Sequence, residues 1–112
     1  MERQPNTKIL KSYFQSFGKK QIFRIIITNT FEKNVVRCAK QVSSIDLLQK
    51  AVEQLEEEGT LPLEYKPHIL SGNLKGYWEA HIRTDWLLIG LKKSTEKTFT
   101  LIGTGKHSDL FK

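Results

Sequence analysis

Leu61-Pro62 divides this 112-residue chain into two parts with different apolar periods, and that switch limits the available folds more than any other feature. Before it, Phe31, Val35, Cys38 and Val42 recur at spacings of four, three and four, which makes one apolar stripe on a helix. Asn29 is placed to cap that helix, with Glu32 at the third helical position of a capping box. A second helix is expected from Ser43 or Ser44, with Leu47, Leu48, Ala51, Val52 and Leu55 on one side. Gly59, after the acidic run Glu56-Glu57-Glu58, is the expected residue just past its end. That run opposes the helix macrodipole and reads as a solvated face. After Leu61-Pro62 the pattern changes to short, β-rich segments. Tyr77 to Ile82, Trp86 to Leu91 and Thr98 to Ile102 read as strands, and His68-Ile69-Leu70 as a further short one. Ile22 to Thr28, dense in isoleucine, reads as a buried strand ahead of the helices.

The order β-α-α-β-β-β predicts an α+β domain: a small antiparallel sheet of about four strands with two helices on one face. It occupies residues 21–112. Residues 1–20 form an extension in which Ile9, Leu10, Tyr13, Phe14 and Phe17 fall on one helical face, with Asn6 or Thr7 as cap and Gly18 as stop. That amphipathic helix packs on its own domain or docks a partner. No apolar run reaches the roughly 18 residues that would span a bilayer. The N-terminus lacks the pattern of a secretory signal, and a single cysteine, Cys38, excludes an intrachain disulfide and fits a reducing cytoplasm. Cys38 itself reads as a small buried hydrophobe.

Net charge is +6 and uneven: +4 over residues 1–20, −1 over 21–63 and +3 over 64–112. The surplus points to a polyanionic partner through phosphate attraction and counterion release. All three histidines, His68, His81 and His107, lie in the last 45 residues beside Lys, Arg or Asp. Imidazole gives or takes a proton near neutral pH, and neighbouring cations can hold a phosphate, so these are the parts of a metal-free ribonuclease. They lack the close local pairing of a zinc site, and no cofactor is implied.

From about residue 22 onward the chain resembles the YafQ-type toxins of the RelE/ParE superfamily. The resemblance rests on Leu61-Pro-Leu-Glu-Tyr-Lys-Pro-His68, Leu70-Ser-Gly72 with Gly76-Tyr77, His81-Ile-Arg-Thr-Asp85-Trp86-Leu-Leu-Ile, and Thr104-Gly-Lys-His107-Ser-Asp-Leu-Phe111, in that order over roughly 90 residues. It implies the toxin of a type II toxin–antitoxin system, a metal-independent mRNA endoribonuclease that cuts mRNA in the ribosomal A site and halts translation. The chemistry implied is attack of the ribose 2′-OH on the adjacent phosphate, which RNA alone permits. The resemblance also implies a cognate antitoxin, a ribbon-helix-helix protein of the DinJ/RelB kind, through which alone the toxin would meet DNA. No membrane contact is implied.

The catalytic positions carried over are His68, His81, Asp85 and His107. His107 is the expected general acid. His81 and Asp85 form the base side, with Asp85 taking the proton or orienting an imidazole, and His68 positions the phosphate or shares the base role. Trp86 and Phe111 offer faces for base stacking, and Lys66, Lys75, Arg83 and Lys106 are the nearby cations. Each has a structural alternative: a core position for Trp86, a hydrophobic anchor for Phe111, a turn carboxylate for Asp85. Two departures stand out, Trp78 and Gly103, at places where the family commonly has arginine. Their loss would attenuate catalysis unless another cation substitutes. The alternative reading is a catalytically weakened module of the same fold that binds RNA or acts as a co-repressor with its antitoxin.

Overall fold

The computed structural model describes residues 22–41 and 45–111, in which β1 (Arg24–Ile27), α1 (Asn29–Gln41), α2 (Asp46–Glu58), β2 (His68–Ile69), β3 (Trp78–Arg83), β4 (Trp86–Lys93), β5 (Thr98–Gly105) and α3 (His107–Leu110) follow in order. The helix expected over residues 7–17, the start expected at Ser43 or Ser44, and Val42 lie outside the described residues.

β1 ends and α1 starts at one residue. Thr28 Oγ1 accepts the Phe31 N–H at 3.2 Å and donates to the Leu101 carbonyl at 2.9 Å. The cap is therefore Thr28, one residue before the expected Asn29, which moves Glu32 from the third helical position to the fourth. A β-branched hydroxyl residue suits both the end of a strand and a helix cap, and here it also ties α1 to β5. α2 ends as expected: Gly59 has φ 72, and its N–H donates to the Leu55 carbonyl at 2.9 Å. Burial, reinforced by Glu53 and Glu57, pushes the Glu56 carboxyl up.

The sheet has five strands in the order β1-β5-β4-β3-β2. β2 to β5 are antiparallel, but β1 pairs parallel with β5, Arg24 opposite Thr98 through Ile27 opposite Leu101. This corrects the expected all-antiparallel sheet of about four strands. Tight turns fix the direction of neighbouring hairpin strands, whereas the direction of β1 is set by where the two helices return the chain. β2 covers His68 and Ile69 only, and β5 runs beyond Ile102 to Gly105.

Both helices lie on one face. Phe31, Val35 and Cys38 of α1 and Leu48, Ala51, Val52 and Leu55 of α2 bury against Trp78, Ala80, Trp86, Leu88, Phe99 and Leu101. Trp78 meets Phe99 edge to face at 4.7 Å between centroids. Burial of side chains such as Phe31, Leu48 and Phe99 contributes roughly 1.5–3 kcal/mol each. No described helix is long and apolar enough to cross a membrane.

The pairing of β4 with β5 is irregular between Ile89 and Gly90, where Ile89 faces Gly103 and Gly90 faces Leu101. One extra residue, Ile102, is thus inserted in β5. Inward positions change from Phe99 and Leu101 before it to Thr104 after it. Thr104 is fully buried, and every polar atom it has is used. Its N–H donates to Asn34 Oδ1 at 3.2 Å, its hydroxyl donates to the Leu87 carbonyl at 2.7 Å and accepts the Trp86 indole N–H at 3.0 Å, and its carbonyl faces Cys38 Sγ at 3.8 Å.

Thr104→Val keeps the shape but strands the Trp86 N–H in the core. The expected loss is about 1–3 kcal/mol, seen as a fall in melting temperature of several degrees for a domain of this size. Gly59→Ala is also expected to lower the melting temperature, because a Cβ there would press into the Phe23 ring and a non-glycine residue is disfavoured at this φ.

Candidate active site

Alternation along β3 sends Trp78, Ala80 and Ile82 toward the helices and Glu79 and His81 to the open face of the sheet, and the register with β4 shifts after His81. The β2–β3 register then sets His68 directly opposite Glu79. His68 Nε2 lies 3.1 Å from Glu79 Oε1, and His81 Nε2 lies 3.7 Å from the same oxygen. The first is a hydrogen bond; the second is an electrostatic contact, too long to be one. The two imidazoles stack with centroids 6.3 Å apart. His68 Nδ1 is 2.7 Å from the Lys66 carbonyl, so both of its ring nitrogens face oxygen acceptors. A neutral imidazole has one N–H, and only the protonated ring donates to both.

Glu79, 7% exposed, is not among the residues that the sequence motifs single out. Its signal was available in part: it stands two residues from His81 on the same face of a strand. What the sequence could not supply was the register that brings His68 across to it. A carboxylate this buried needs partners, and the two imidazoles provide them.

β5 and the turn after it carry His107 to the other side of the same space. α3 is a single turn, in which the Phe111 N–H donates to the His107 carbonyl at 3.0 Å and the two rings pack at 4.6 Å between centroids. Between these groups lies a cleft of about 330 Å³, lined by Leu70, Ser71, Asn73, Leu74, Glu79, His107 and Phe111. Its volume falls in the range of small-ligand sites. A buried carboxylate that holds two histidines thus faces one side of the cleft, and an exposed histidine on an aromatic ring faces another. That separation suits proton removal at one point and proton delivery at another.

The remaining predicted residues divide. Asp85 is exposed in the β3–β4 turn, and among the described residues no ion pair joins it to an imidazole. The carboxylate that contacts the histidines is Glu79, because alternation turns that side chain, and not a turn residue, toward them. Trp86 is 4% exposed and bonded to Thr104, so the stacking face expected of it is buried in the core. Lys66, Lys75, Arg83 and Lys106 are exposed around the sheet edge and loops, with Lys106 immediately before His107. Trp78 is a core residue, and Gly103 is buried beside Asn34 and Leu110. The Cys38 thiol is pushed up by burial, with Arg37 opposing and Asp109 adding to the effect, and it stays a buried hydrophobe of α1 as expected. Among the described residues, no group of three or more His, Cys, Asp and Glu side chains is arranged to hold a metal ion.

Residues 23–112 match the family described as the bacterial toxin of type II toxin–antitoxin systems, YafQ. The mRNA interferase toxin YafQ of Escherichia coli strain K12 is 39% identical over 83 residues, which cover 72% of this chain and 87% of that protein. The crystal structure of YafQ from E. coli strain BL21(DE3) is 30% identical and matches with a TM-score of 0.72, over 80% of this chain and 99% of that one. YafQ in the E. coli DinJ–YafQ complex is 31% identical with a TM-score of 0.71, over 80% of this chain and 99% of that one. A metal-bound toxin from Helicobacter pylori is 35% identical, with a TM-score of 0.68 and the same coverage. Fold and sequence agree, and the chain belongs to the YafQ family of type II toxin–antitoxin toxins.

Proposed function

We propose that this chain is an endoribonuclease that cuts mRNA in the ribosomal A site, and that a cognate antitoxin holds it inactive. The observation that carries this reading is that one cleft brings together Glu79, bonded to His68 and in contact with His81, and His107. The name of the E. coli relative, mRNA interferase toxin, supplies the substrate class. The 2′-OH of one nucleotide loses its proton to the Glu79–His81 side and bonds to the adjacent phosphorus. His107 protonates the departing 5′-oxygen as the P–O5′ bond breaks, which leaves a 2′,3′-cyclic phosphate and a 5′-hydroxyl. His68, donating to Glu79, holds that carboxylate in place. Phe111 packs on His107 and gives a neighbouring base a surface to stack on. Lys66, Lys75, Arg83 and Lys106 attract the RNA from outside, and Asp85, exposed in the β3–β4 turn, is free to share the base role. Every proton transfer is assigned to a side chain, so the mechanism needs no metal.

The partner follows from charge and from a relative. A net charge of +6 suits an acidic segment laid over the cleft, and a relative has been solved with DinJ. We assign the partner to the ribbon-helix-helix class, with DNA contacted only through it, and place the action of the pair in the cytoplasm.

Primer extension on a defined mRNA, with and without translating ribosomes, tests the reading. Cuts are expected with ribosomes and not without. His107→Ala should lower the cutting rate by about 10²–10⁴-fold, the usual range for a lost acid or base. Uncut message with the unmodified protein, together with retained antitoxin binding, would favour a binding module instead. Glu79→Gln keeps the shape and removes the charge that both imidazoles face. It should slow cutting by roughly a hundredfold while far-UV circular dichroism stays the same; undiminished cutting would remove Glu79 from the mechanism.

A further inference from the structure

Arg37 stands beside the buried stripe of α1, half-buried, and its Nε is enclosed with no hydrogen-bond acceptor among the described residues. No ion pair to Arg37 occurs among those residues either. A guanidinium is always charged, and a shielded donor without an acceptor is costly enough that native folds rarely keep one without a use. Its surroundings indicate the use. Arg37 lines a second cleft of about 240 Å³ together with Asn34, Gly103, Asp109 and Phe111. Leu74 and Phe111 line both this cleft and the one that holds Glu79 and His107, so the two adjoin.

Two glycines of β5 keep the space open. A Cβ on Gly103 would come within 3.3 Å of Asn34 Oδ1, and one on Gly105 would come within 3.4 Å of Arg37 Nη2. The guanidinium therefore lies over bare backbone two residues before His107. Asp109 lines the same cleft without pairing with Arg37, so the cation is left for something that enters from outside.

We propose that Arg37 binds a backbone phosphate of the RNA, reaching from α1 into the cleft that Gly103 and Gly105 leave open. This rests on the endoribonuclease reading and adds to it the residue that grips the substrate. A planar fork of N–H donors matches two phosphate oxygens, a geometry that a lysine at the rim cannot reproduce. Asp109, across the cleft, weakens the grip by repulsion and helps the product leave.

The test follows the Arg37 Nε–H resonance of the full chain by NMR, assigned through its loss in Arg37→Lys, during titration with a 2′-O-methyl RNA tetranucleotide that cannot be cut. The resonance is expected to shift with saturation. Arg37→Met should bind that RNA about tenfold more weakly, with a salt slope smaller by about 0.7, as for one lost phosphate contact. It should cut message on ribosomes roughly a hundredfold more slowly, with Arg37→Lys between. Asp109→Asn should tighten RNA binding, whereas partners in a purely structural pair would lose stability together. A resonance unmoved up to millimolar RNA overturns the proposal, as does Arg37→Met binding and cutting within twofold of the unmodified chain. RNA that shifts Arg37 but is never cut on ribosomes would leave the phosphate site standing and remove the endoribonuclease reading. Cutting with Arg37 unmoved would do the reverse.

Discussion

Thr104 is one residue on which three elements depend. Its N–H binds Asn34 of α1, its hydroxyl joins the Trp86 indole to the Leu87 carbonyl in β4, and its carbonyl faces Cys38. All of this lies inside the protein, where a lost partner leaves a donor or acceptor that water cannot reach. The strand around it is Gly103-Thr104-Gly105, which has little propensity to stay extended. Because Thr104 is bonded on every side, β5 nevertheless runs on to Gly105 and delivers Lys106 and His107 at a fixed point beside the sheet. The extra residue in β5 at Ile102 is what turns Thr104 inward. The irregularity in the sheet and the placement of the proposed acid thus have one physical origin.

The opposite side of the cleft is built on a different principle. There the parts come from strand alternation and register, with Glu79 and His81 on one face of β3 and His68 across from them on β2. Glu79 is nearly buried, yet it remains in reach of the cleft. A buried carboxylate is tolerated when hydrogen-bonded and paired, and its partners here are histidines that can themselves carry a proton. The fold therefore sets a carboxylate with two imidazoles on the middle of a sheet and a third imidazole on a short turn. Such a division favours accuracy on one side and adjustability on the other.

Two positions depart from the family pattern, and the structure gives each a place. Trp78 belongs to the core, edge to face with Phe99, and Gly103 opens a cleft where a larger side chain would meet Asn34 and Leu110. Arg37 lines that opening from α1. A cation delivered from α1 is held by core packing, since its helix neighbours Phe31, Val35 and Cys38 are among the most buried residues of the domain.

The sequence by itself determined the local features. Helical spacing located α1 and α2, β-rich composition located the strands from β2 to β5, Gly59 marked the end of α2, and the motifs around His68, His81 and His107 placed the chain in its family. These are properties of residues a few positions apart, so they can be read along the chain. The tertiary structure decided the parallel pairing of β1, the choice of Glu79 over Asp85 as the carboxylate beside the imidazoles, and the burial of Trp86. It also decided that Arg37 lines a cleft next to His107, 70 positions further along the chain. Register and the meeting of distant elements depend on how the helices return the chain to the sheet, and no spacing within one segment records that.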